Sequence, residues 1–337
     1  METKSINSST SFVIPVYKTP ETLFRACLKS VLAANCSCNG EILLVIDSPN
    51  DPIETVANQY AAANPCIRII RNDRNRGPAY SRNRGIDAAK NDFIITVDSD
   101  DEIVPEICMK AIRACAEQEL DICSIARVNP WCPETADNQR TGNLIYGGAI
   151  QAKSPDFARA LITIDMSSSG VIYRRSFLES KKIRYNEALH QNEDFVFIAH
   201  AVSSGAIIGV WDEIGYIVSF RGDSLSHRRG GEHSADMALA AIDIMRLPGL
   251  SGADLDIKLF YARKAFWQIF CAQCPPKTFH IAATEFAKIY ACALSPIARL
   301  AIYIALKLPA RVTIRQRIIR GCFKVLDRLH IFYCKVV

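Results

Sequence analysis

Short apolar runs and helical patterns alternate over the first hundred residues. The apolar runs occupy positions 11–16, 41–46, 67–70 and 93–97. After the first run, Thr19 and Pro20 precede apolar residues at spacings of three and four, which predicts a helix with Thr19 as its N-cap. Strands this apolar are typical of a sheet buried on both faces, so the pattern predicts an α/β fold with a mostly parallel sheet between helices.

The pattern of apolar and polar residues changes after about residue 128. Residues 129–148 are polar and contain several Gly and Pro, which predicts a loop or linker. After about residue 232 the apolar residues recur at helical spacing. The predicted strands are 171–173, 206–211 and 216–220, and the predicted helices are 195–202, 235–245, 255–271 and 279–293.

Two of the predicted strands end in an aspartate. Asp47 follows the run at 41–46, and Asp98 follows the run at 93–97. In open α/β sheets, ligands bind in the crevice outside the carboxyl ends of the strands. We therefore expect Asp47 and Asp98 to contribute to one site.

The sequence Asp98-Ser99-Asp100-Asp101 is the strongest candidate for chemistry. Three carboxylates within four residues repel one another, and a divalent cation would relieve that repulsion. Hard cations such as Mg²⁺ bind one or two carboxylates together with substrate phosphates. A solvated acidic turn that caps the following helix is the alternative, and the four residues alone leave both interpretations open.

Five blocks in order resemble the family 2 glycosyltransferases, which have the GT-A fold. Four of them are Val-Ile-Pro-Val-Tyr at 13–17, Glu-Ile-Leu-Leu-Val-Ile-Asp at 41–47, Asn-Arg-Gly-Pro-Ala-Tyr-Ser-Arg-Asn-Arg-Gly at 75–85 and the strand with its acidic turn at 93–101. The fifth is Asn-Glu-Asp-Phe at 192–195. The resemblance implies a Rossmann-like mixed sheet with a C-terminal helical extension.

The resemblance implies a pocket for a nucleotide-sugar donor, in the first instance a UDP-sugar. Pro15, Val16 and Tyr17 match the loop that lines the nucleotide pocket. Asp47 matches an aspartate that contacts the base, and Arg82 matches a basic residue near the nucleotide. Ile46 stands where many relatives have a further acid, a departure that leaves the preferred base open.

The same resemblance implies a divalent metal, Mn²⁺ or Mg²⁺. Asp98 matches the first acid of the D-x-D motif, near the ribose and the metal, and Ser99 lies beside it in the donor site. Asp100 matches the acid that binds the metal bridging the diphosphate. His227 stands where some relatives have a donor-site residue, so it is a candidate metal or phosphate ligand. A surface position for His227 is the alternative.

The fifth block implies the catalytic base. Asp194 matches the carboxylate that takes the proton from the attacking hydroxyl, and Glu193 is the fallback if the match is displaced by one residue. One base without a second nucleophilic carboxylate predicts direct displacement with inversion, as in the family. Acids that merely stabilise a helix N-terminus are the other interpretation of this pair.

Charge is uneven along a chain of 337 residues with a formal net charge of +5. Residues 295–337 carry nine Lys or Arg against a single acid, Asp327. This basic amphipathic segment predicts either a helix on an anionic membrane surface or a helical cap on the catalytic domain. Nucleic-acid binding is not expected, because no recognition motif accompanies the charge.

The sequence also predicts the limits of the domains and the location of the protein in the cell. We expect a disordered tail at 1–10, a catalytic domain at 11–230 and a helical region at 231–337. The polar N-terminus lacks an apolar targeting segment, which predicts a cytoplasmic protein, peripheral on the inner face of the cell membrane if the basic segment binds lipid. The thirteen cysteines are then expected to be free thiols.

The leading hypothesis is an inverting glycosyltransferase that acts on a glycan or lipid-linked acceptor in surface polysaccharide or glycolipid synthesis. A non-catalytic membrane-associated adaptor that retains the GT-A fold is the alternative. Nucleotidyltransferases require a Gly-rich phosphate loop after the first strand, and dinucleotide-dependent oxidoreductases require G-x-G-x-x-G there. The sequence Pro-Val-Tyr-Lys-Thr-Pro at 15–20 provides neither.

Overall fold

The structure is a computed structural model that describes residues 9–38, 40–128, 144–149, 169–219 and 231–247, with the further positions 282, 284–286 and 288. Contacts divide the chain into two compact units. One unit comprises Met1–Ala188 with His200–Gly222, and the other comprises Leu189–Ala199 with Asp223–Val337. The division of domains at residue 230 stays a prediction.

The described strands of the first unit form one mixed sheet. They are β1 (Thr10–Val16), β2 (Glu41–Ile46), β3 (Ile67–Arg71), β4 (Phe93–Thr96), β5 (Glu102–Ile103), β6 (Ile122–Val128), β7 (Leu144–Ala149), β8 (Val171–Arg174) and β9 (Ile207–Ile217). Their order is β3-β2-β1-β4-β8-β6-β9-β5, and β7 pairs with β9 outside this path.

Both units contain helices. The described helices are α1 (Glu21–Cys38), α2 (Glu54–Ala63), α3 (Pro78–Ala88), α4 (Pro105–Glu117), α5 (Arg175–Ser180), α6 (Glu193–Ser203) and α7 (Gly231–Arg246). The helices predicted at 195–202 and 235–245 are confirmed as α6 and α7. The helix predicted at 255–271, most of the one at 279–293 and the basic segment at 295–337 lie outside the described residues.

The parallel strands occupy the first half of the sheet. Strands β3, β2, β1 and β4 pair in parallel in that order. Phe12 and Val13 on β1 are both fully buried although successive strand side chains point to opposite faces, so both faces of the sheet are covered. The predicted mixed α/β sheet between helices is confirmed. Antiparallel pairs enter where β8 joins β4 and β6.

Two predictions about the later strands are wrong. The predicted loop at 129–148 ends in a strand, because Leu144–Ala149 forms β7 against β9. Its two adjacent glycines have low strand propensity, so pairing with β9 decides the conformation. The strands predicted at 206–211 and 216–220 are one strand, β9. Register shifts against β6 occur between Ile125 and Arg127, opposite the residues that separate the two predicted strands.

The start of α1 differs from the prediction by one residue. The amide of Phe24 donates to the carbonyl of Pro20 at 3.0 Å, so Pro20 rather than Thr19 lies at the helix cap. The hydroxyl of Thr19 instead shares a hydrogen bond of 2.6 Å with the hydroxyl of Ser99. The loop after β1 is thereby tied to the acidic turn after β4.

The described part of the chain bears on two further expectations. None of its helices has the length and apolar character needed to cross a membrane. Six cysteines are free thiols, as predicted for these positions: Cys27, Cys36, Cys66, Cys108, Cys115 and Cys123.

Helix α3 lies against β1 through a glycine. A Cβ atom added at Gly85 would come within 2.2 Å of Cγ1 of Val13, and within 3.1 Å of its Cγ2. Val13 is itself fully buried in the sheet, so it cannot move aside freely. This close approach sets the position of α3, which carries several residues of the candidate site.

We expect Gly85→Ala to destabilise the protein although alanine is the better helix former. Helix propensity alone would add about 1 kcal/mol, whereas overpacking costs about 1–3 kcal/mol, so the midpoint of urea unfolding should fall. Gln59→Ala on the exposed face of α2 is the control and should leave the midpoint nearly unchanged. A higher midpoint for Gly85→Ala would show that α3 has room to spare at this position.

Candidate functional site

The acidic turn after β4 is closed by hydrogen bonds at both ends. The amide of Asp101 donates to the carbonyl of Asp98 at 3.0 Å. The hydroxyl of Tyr216 accepts from the amide of Asp98 at 3.1 Å and donates to Oδ2 of Asp101 at 2.8 Å. Tyr216 is fully buried, so a single hydroxyl on β9 fixes the shape of the turn from the inside.

Asp101 points into the protein and is a structural residue. Only 5% of it is exposed, and its Oδ1 accepts from the amide of Ser219 at 2.8 Å. Burial, followed by the negative charge of Asp98, raises the pKa of Asp101 to about 8. The third acid of the turn therefore differs in role from the first and second.

Asp98 is held in the ionised form by a buried arginine. Its Oδ1 accepts from Nη2 of Arg82 at 2.9 Å, and its Oδ2 accepts from the hydroxyl of Ser169 at 2.7 Å. Burial acts to raise the pKa of Asp98, but the charge of Arg82 and the hydrogen bonds from Ser169 and Arg82 outweigh it, so the pKa is lowered. The carboxylate is thus fixed in orientation and negatively charged.

Asp98 and Asp100 provide the oxygen donors that a divalent cation requires. Asp100 is half-buried on the same turn. No group of three or more His, Cys, Asp or Glu suited to a metal occurs among the described residues. Mg²⁺ and similar hard ions are commonly bound by one or two carboxylates and completed by substrate phosphates, so the two acids fit such an ion. His227, the third candidate ligand, lies outside the described residues.

Asp47 anchors the loop that leads into α3. Its Oδ1 accepts from the side-chain amide of Asn72 at 2.6 Å and from the backbone amide of Arg76 at 2.9 Å. Its Oδ2 accepts from the amide of Gly77 at 2.8 Å. Only 3% of Asp47 is exposed. The aspartate predicted to contact a base is therefore also the residue that shapes this loop.

Helix α3 links the two strand-end aspartates. The hydroxyl of Ser81 accepts from the side-chain amide of Asn72, the partner of Asp47, at 2.9 Å. The next residue, Arg82, binds Asp98. Asp47 and Asp98 thus belong to one hydrogen-bonded edge of the sheet, as their positions after β2 and β4 predict.

The loop after β1 is held by residues from neighbouring loops. Pro15 and Val16 end the strand, and Tyr17 is 39% exposed beyond it. Lys18 has a positive φ of 47°, and its amide donates to Oδ2 of the buried Asp51 at 2.7 Å. With the hydrogen bond between Thr19 and Ser99, this bond fixes the segment predicted to line a pocket.

Glu193 and Asp194 begin helix α6 in the second unit. Glu193 is buried, whereas Asp194 is half-buried and its Oδ1 accepts from the amide of Phe195 at 2.9 Å. The residue before them, Asn192, has a positive φ of 64°. Both acids lie in the first turn of the helix, and their catalytic role stays a prediction.

Sequence reasoning missed several residues that build this edge. Asn72 follows β3 in the same way that Asp47 follows β2, so the strand-end rule could have found it. Arg84 donates to the carbonyl of Arg71 and to Oδ1 of Asn72 at 2.6 and 2.8 Å. Ser169 and Tyr216 carry no local signal, because they are distant in sequence from the turn that they hold.

The chain is similar in sequence to proteins of one family. A family model described as Glycosyl transferase family 2 matches residues 11–180. The succinoglycan biosynthesis protein ExoO of Rhizobium meliloti is 30% identical over 251 residues, which cover 72% of this chain and 69% of that protein. The putative glycosyltransferase EpsH of Bacillus subtilis is 31% identical, with 59% of this chain and 57% of EpsH covered. The chain therefore spans less than two thirds of EpsH.

Solved structures of glycosyltransferases have the same fold. The structure of S. aureus TarS 1-349 in complex with UDP-GlcNAc matches with a TM-score of 0.65 at 19% identity, covering 94% of this chain and 92% of that chain. The mannosyltransferase PcManGT from Pyrobaculum calidifontis, in complex with GDP-Man and Mn²⁺, matches with a TM-score of 0.55 at 15% identity, covering 95% and 87%. At these identities the likeness shows the GT-A fold alone.

We expect Tyr216→Phe to destabilise the acidic turn. The change leaves a buried carboxylate oxygen of Asp101 and the amide of Asp98 each without the bond that the hydroxyl supplied. An unsatisfied buried polar group costs about 1–3 kcal/mol, which should lower the midpoint of urea unfolding. Tyr17→Phe, at an exposed tyrosine of the same sheet edge, is the control. Equal midpoints for the two variants would contradict the role of Tyr216.

Proposed function

Because the chain belongs to glycosyl transferase family 2, we propose that it is an inverting glycosyltransferase that uses a nucleotide-diphosphate sugar. The observation that carries this proposal is the acidic turn at the sheet edge, with an ionised Asp98 held by Arg82. A fixed carboxylate beside a guanidinium suits a site for a cation and a diphosphate. The sugar passes to a hydroxyl of a glycan or lipid-linked acceptor.

A UDP-sugar is the donor that we propose first. TarS was solved with UDP-GlcNAc, and ExoO is named for succinoglycan biosynthesis, which together favour a role in surface polysaccharide assembly. The complex of PcManGT with GDP-Man makes guanine the competing base. We assign the base contact to Asp47, beside the loop formed by Pro15, Val16 and Tyr17, with Ser99 and Asp98 toward the ribose.

A divalent metal, Mn²⁺ or Mg²⁺, would be held by Asp98 and Asp100, with His227 as a further candidate ligand. When bound, such an ion neutralises charge that develops on a diphosphate leaving group. Arg82 supplies positive charge in the same place through its own guanidinium. The complex of a fold relative with Mn²⁺ supports this assignment.

Asp194 is the residue to which we assign proton transfer. As the acceptor oxygen attacks the anomeric carbon, the bond from that carbon to the diphosphate breaks and the nucleoside diphosphate leaves. The acceptor proton moves to the Asp194 carboxylate, which balances the step. Attack from the face opposite the leaving group inverts the anomeric centre, and no second carboxylate is needed for a covalent intermediate.

The basic segment at 295–337 is assigned to the acceptor side of this function. Anionic lipid attracts Lys and Arg near its surface, and a lipid-linked acceptor would be presented there. The segment lies outside the described residues, so this assignment depends on its composition alone.

We expect Asp100→Ala to abolish metal-supported binding of the donor. A ligand present at 100 times its Kd stabilises the native state by about 2.7 kcal/mol, which is readily measured as a rise in Tm. Thermal shifts with UDP and with UDP- and GDP-sugars, each with Mn²⁺ and again with EDTA, should show a metal-dependent rise for the unaltered protein and none for Asp100→Ala.

Asp73→Ala is the matched control for this experiment, because Asp73 is exposed on the loop after β3. Its shift with UDP and Mn²⁺ should equal that of the unaltered protein. Failure of every nucleotide to shift the unaltered protein would contradict the proposed function and favour a non-catalytic adaptor.

Asp194→Asn should bind the donor almost normally and lose transfer. Removal of a general base typically costs between about 10² and 10⁴ in rate, whereas a neutral isostere leaves the shape of the site unchanged. The rate of UDP release with acceptor-containing membranes measures transfer. Glu193→Gln is the comparison: if it abolishes transfer and Asp194→Asn retains full activity, Glu193 is the base.

A further inference from the structure

Asn83 on α3 is bound to the backbone of a distant residue in the same unit. Its Oδ1 accepts from the amide of Tyr185 at 2.8 Å, and its Nδ2 donates to the carbonyl of Tyr185 at 3.0 Å. Nδ2 also donates to Oε1 of Glu187 at 2.9 Å. The side chain is 6% exposed, so these bonds are protected from competition by water. They fix where the backbone of Tyr185 passes over α3.

The ring of Tyr185 packs against the arginine of the acidic turn. The guanidinium carbon of Arg82 lies 5.6 Å from the centre of the ring. Tyr185 is 3% exposed, and the side chain of Arg82 is 8% exposed. A desolvated guanidinium over an aromatic face is stabilised, and its orientation is restricted. The ring therefore acts on the residue that holds Asp98.

The ion pair with Asp98 restrains Arg82 from one side. The side chain of Asp98 is 33% exposed, and a single charge-assisted bond of 2.9 Å joins the two groups. Water screens the exposed end of this ion pair. The packing of Tyr185, held in turn by Asn83, supplies a second restraint from the buried side.

We propose that Asn83 and Tyr185 are positioning residues that set the affinity for the nucleotide diphosphate. Asn83 holds the backbone of Tyr185, the ring of Tyr185 holds the guanidinium of Arg82, and Arg82 faces Asp98 and the diphosphate. This proposal rests on the proposed function of the same site. Donor affinity then depends on two residues that act through Arg82.

The test compares Tyr185→Leu with Tyr185→Phe by titration calorimetry of the full chain with UDP in the presence of Mn²⁺. Phenylalanine keeps the aromatic face, so its Kd should stay within about twofold of the unaltered protein. Leucine removes the face, so the Kd should rise between about 3-fold and 30-fold, as the loss of a buried cation–π contact implies. Rescue by phenylalanine separates this role from a general loosening of the fold.

Tyr173→Leu is the matched control, because it removes another buried tyrosine ring from the first unit. Tyr173 pairs with Ile94 and Ile122 in the sheet, away from the turn at the carboxyl end of β4. It should lower Tm without changing the Kd for UDP. An equal rise in Kd for Tyr173→Leu and Tyr185→Leu would overturn the proposal, because destabilisation alone would then explain the effect.

A second pair of variants tests the bonds between Asn83 and the backbone of Tyr185. These variants test the proposal even if Tyr185→Leu does not fold. Asn83→Asp sets a carboxylate against the carbonyl of Tyr185 and the carboxylate of Glu187, so the Kd for UDP should rise. Adding Glu187→Gln supplies a donor to that carboxylate and should recover part of the affinity. An unchanged Kd in Asn83→Asp would overturn the proposal.

The outcomes distinguish this inference from the function on which it rests. If the unaltered protein binds UDP and folded Tyr185→Leu binds it equally well, the inference is wrong and the proposed function stands. If the unaltered protein binds neither UDP nor GDP with Mn²⁺, the proposed function fails and the inference fails with it.

Discussion

Repulsion among the carboxylates of Asp98, Asp100 and Asp101 is the constraint on which the edge of this sheet is built. The fold reduces this repulsion in a different way for each acid. Asp101 is turned inward onto Tyr216 and the amide of Ser219, where burial favours its neutral form. Asp98 keeps its charge because Arg82 lies against it. Asp100 is left half-buried on the turn, and the remaining negative charge is what a cation would neutralise.

Helix α3 connects the acidic turn to other parts of the first unit through hydrogen bonds. Three successive residues bind three different partners: Ser81 binds Asn72, Arg82 binds Asp98, and Asn83 binds the backbone of Tyr185. Gly85 lets the helix approach β1 closely enough for these bonds to form. This short helix is therefore held by polar bonds as well as by its packing on β1.

The residues that the sequence predicts are marked by their neighbours in the chain, whereas those that it misses act on partners far away in sequence. Apolar runs predict β1, β2 and β4 because each of these strands is buried on both faces, and they predict β3 although this edge strand is only partly buried. An aspartate after a strand is visible from local order alone. Tyr216 lies 118 residues from Asp98, and Ser169 lies 71 residues from it, so nothing in their neighbourhoods marks them. Strand β7, with its two glycines, is recognisable only once β9 is known to pair with it. The resemblance to a family suggests roles for individual residues, whereas the hydrogen bonds that hold these residues in place become visible only in the fold.

Side chains bound to backbone also hold the segment that leads to the acids of α6. Asn83 fixes Tyr185 in the first unit, and in the second unit Oδ2 of Asp236 accepts from the amides of His190 and Gln191 at 3.2 and 3.1 Å. Bonds to backbone groups fix the path of a chain without fixing the side chains that it carries. Here the side chains are held as well, because Glu187 accepts from Nδ2 of Asn83 and Leu189 is buried. Within each unit, the path of the chain before Glu193 and Asp194 is thus set by polar bonds that no pattern local to these two acids reveals.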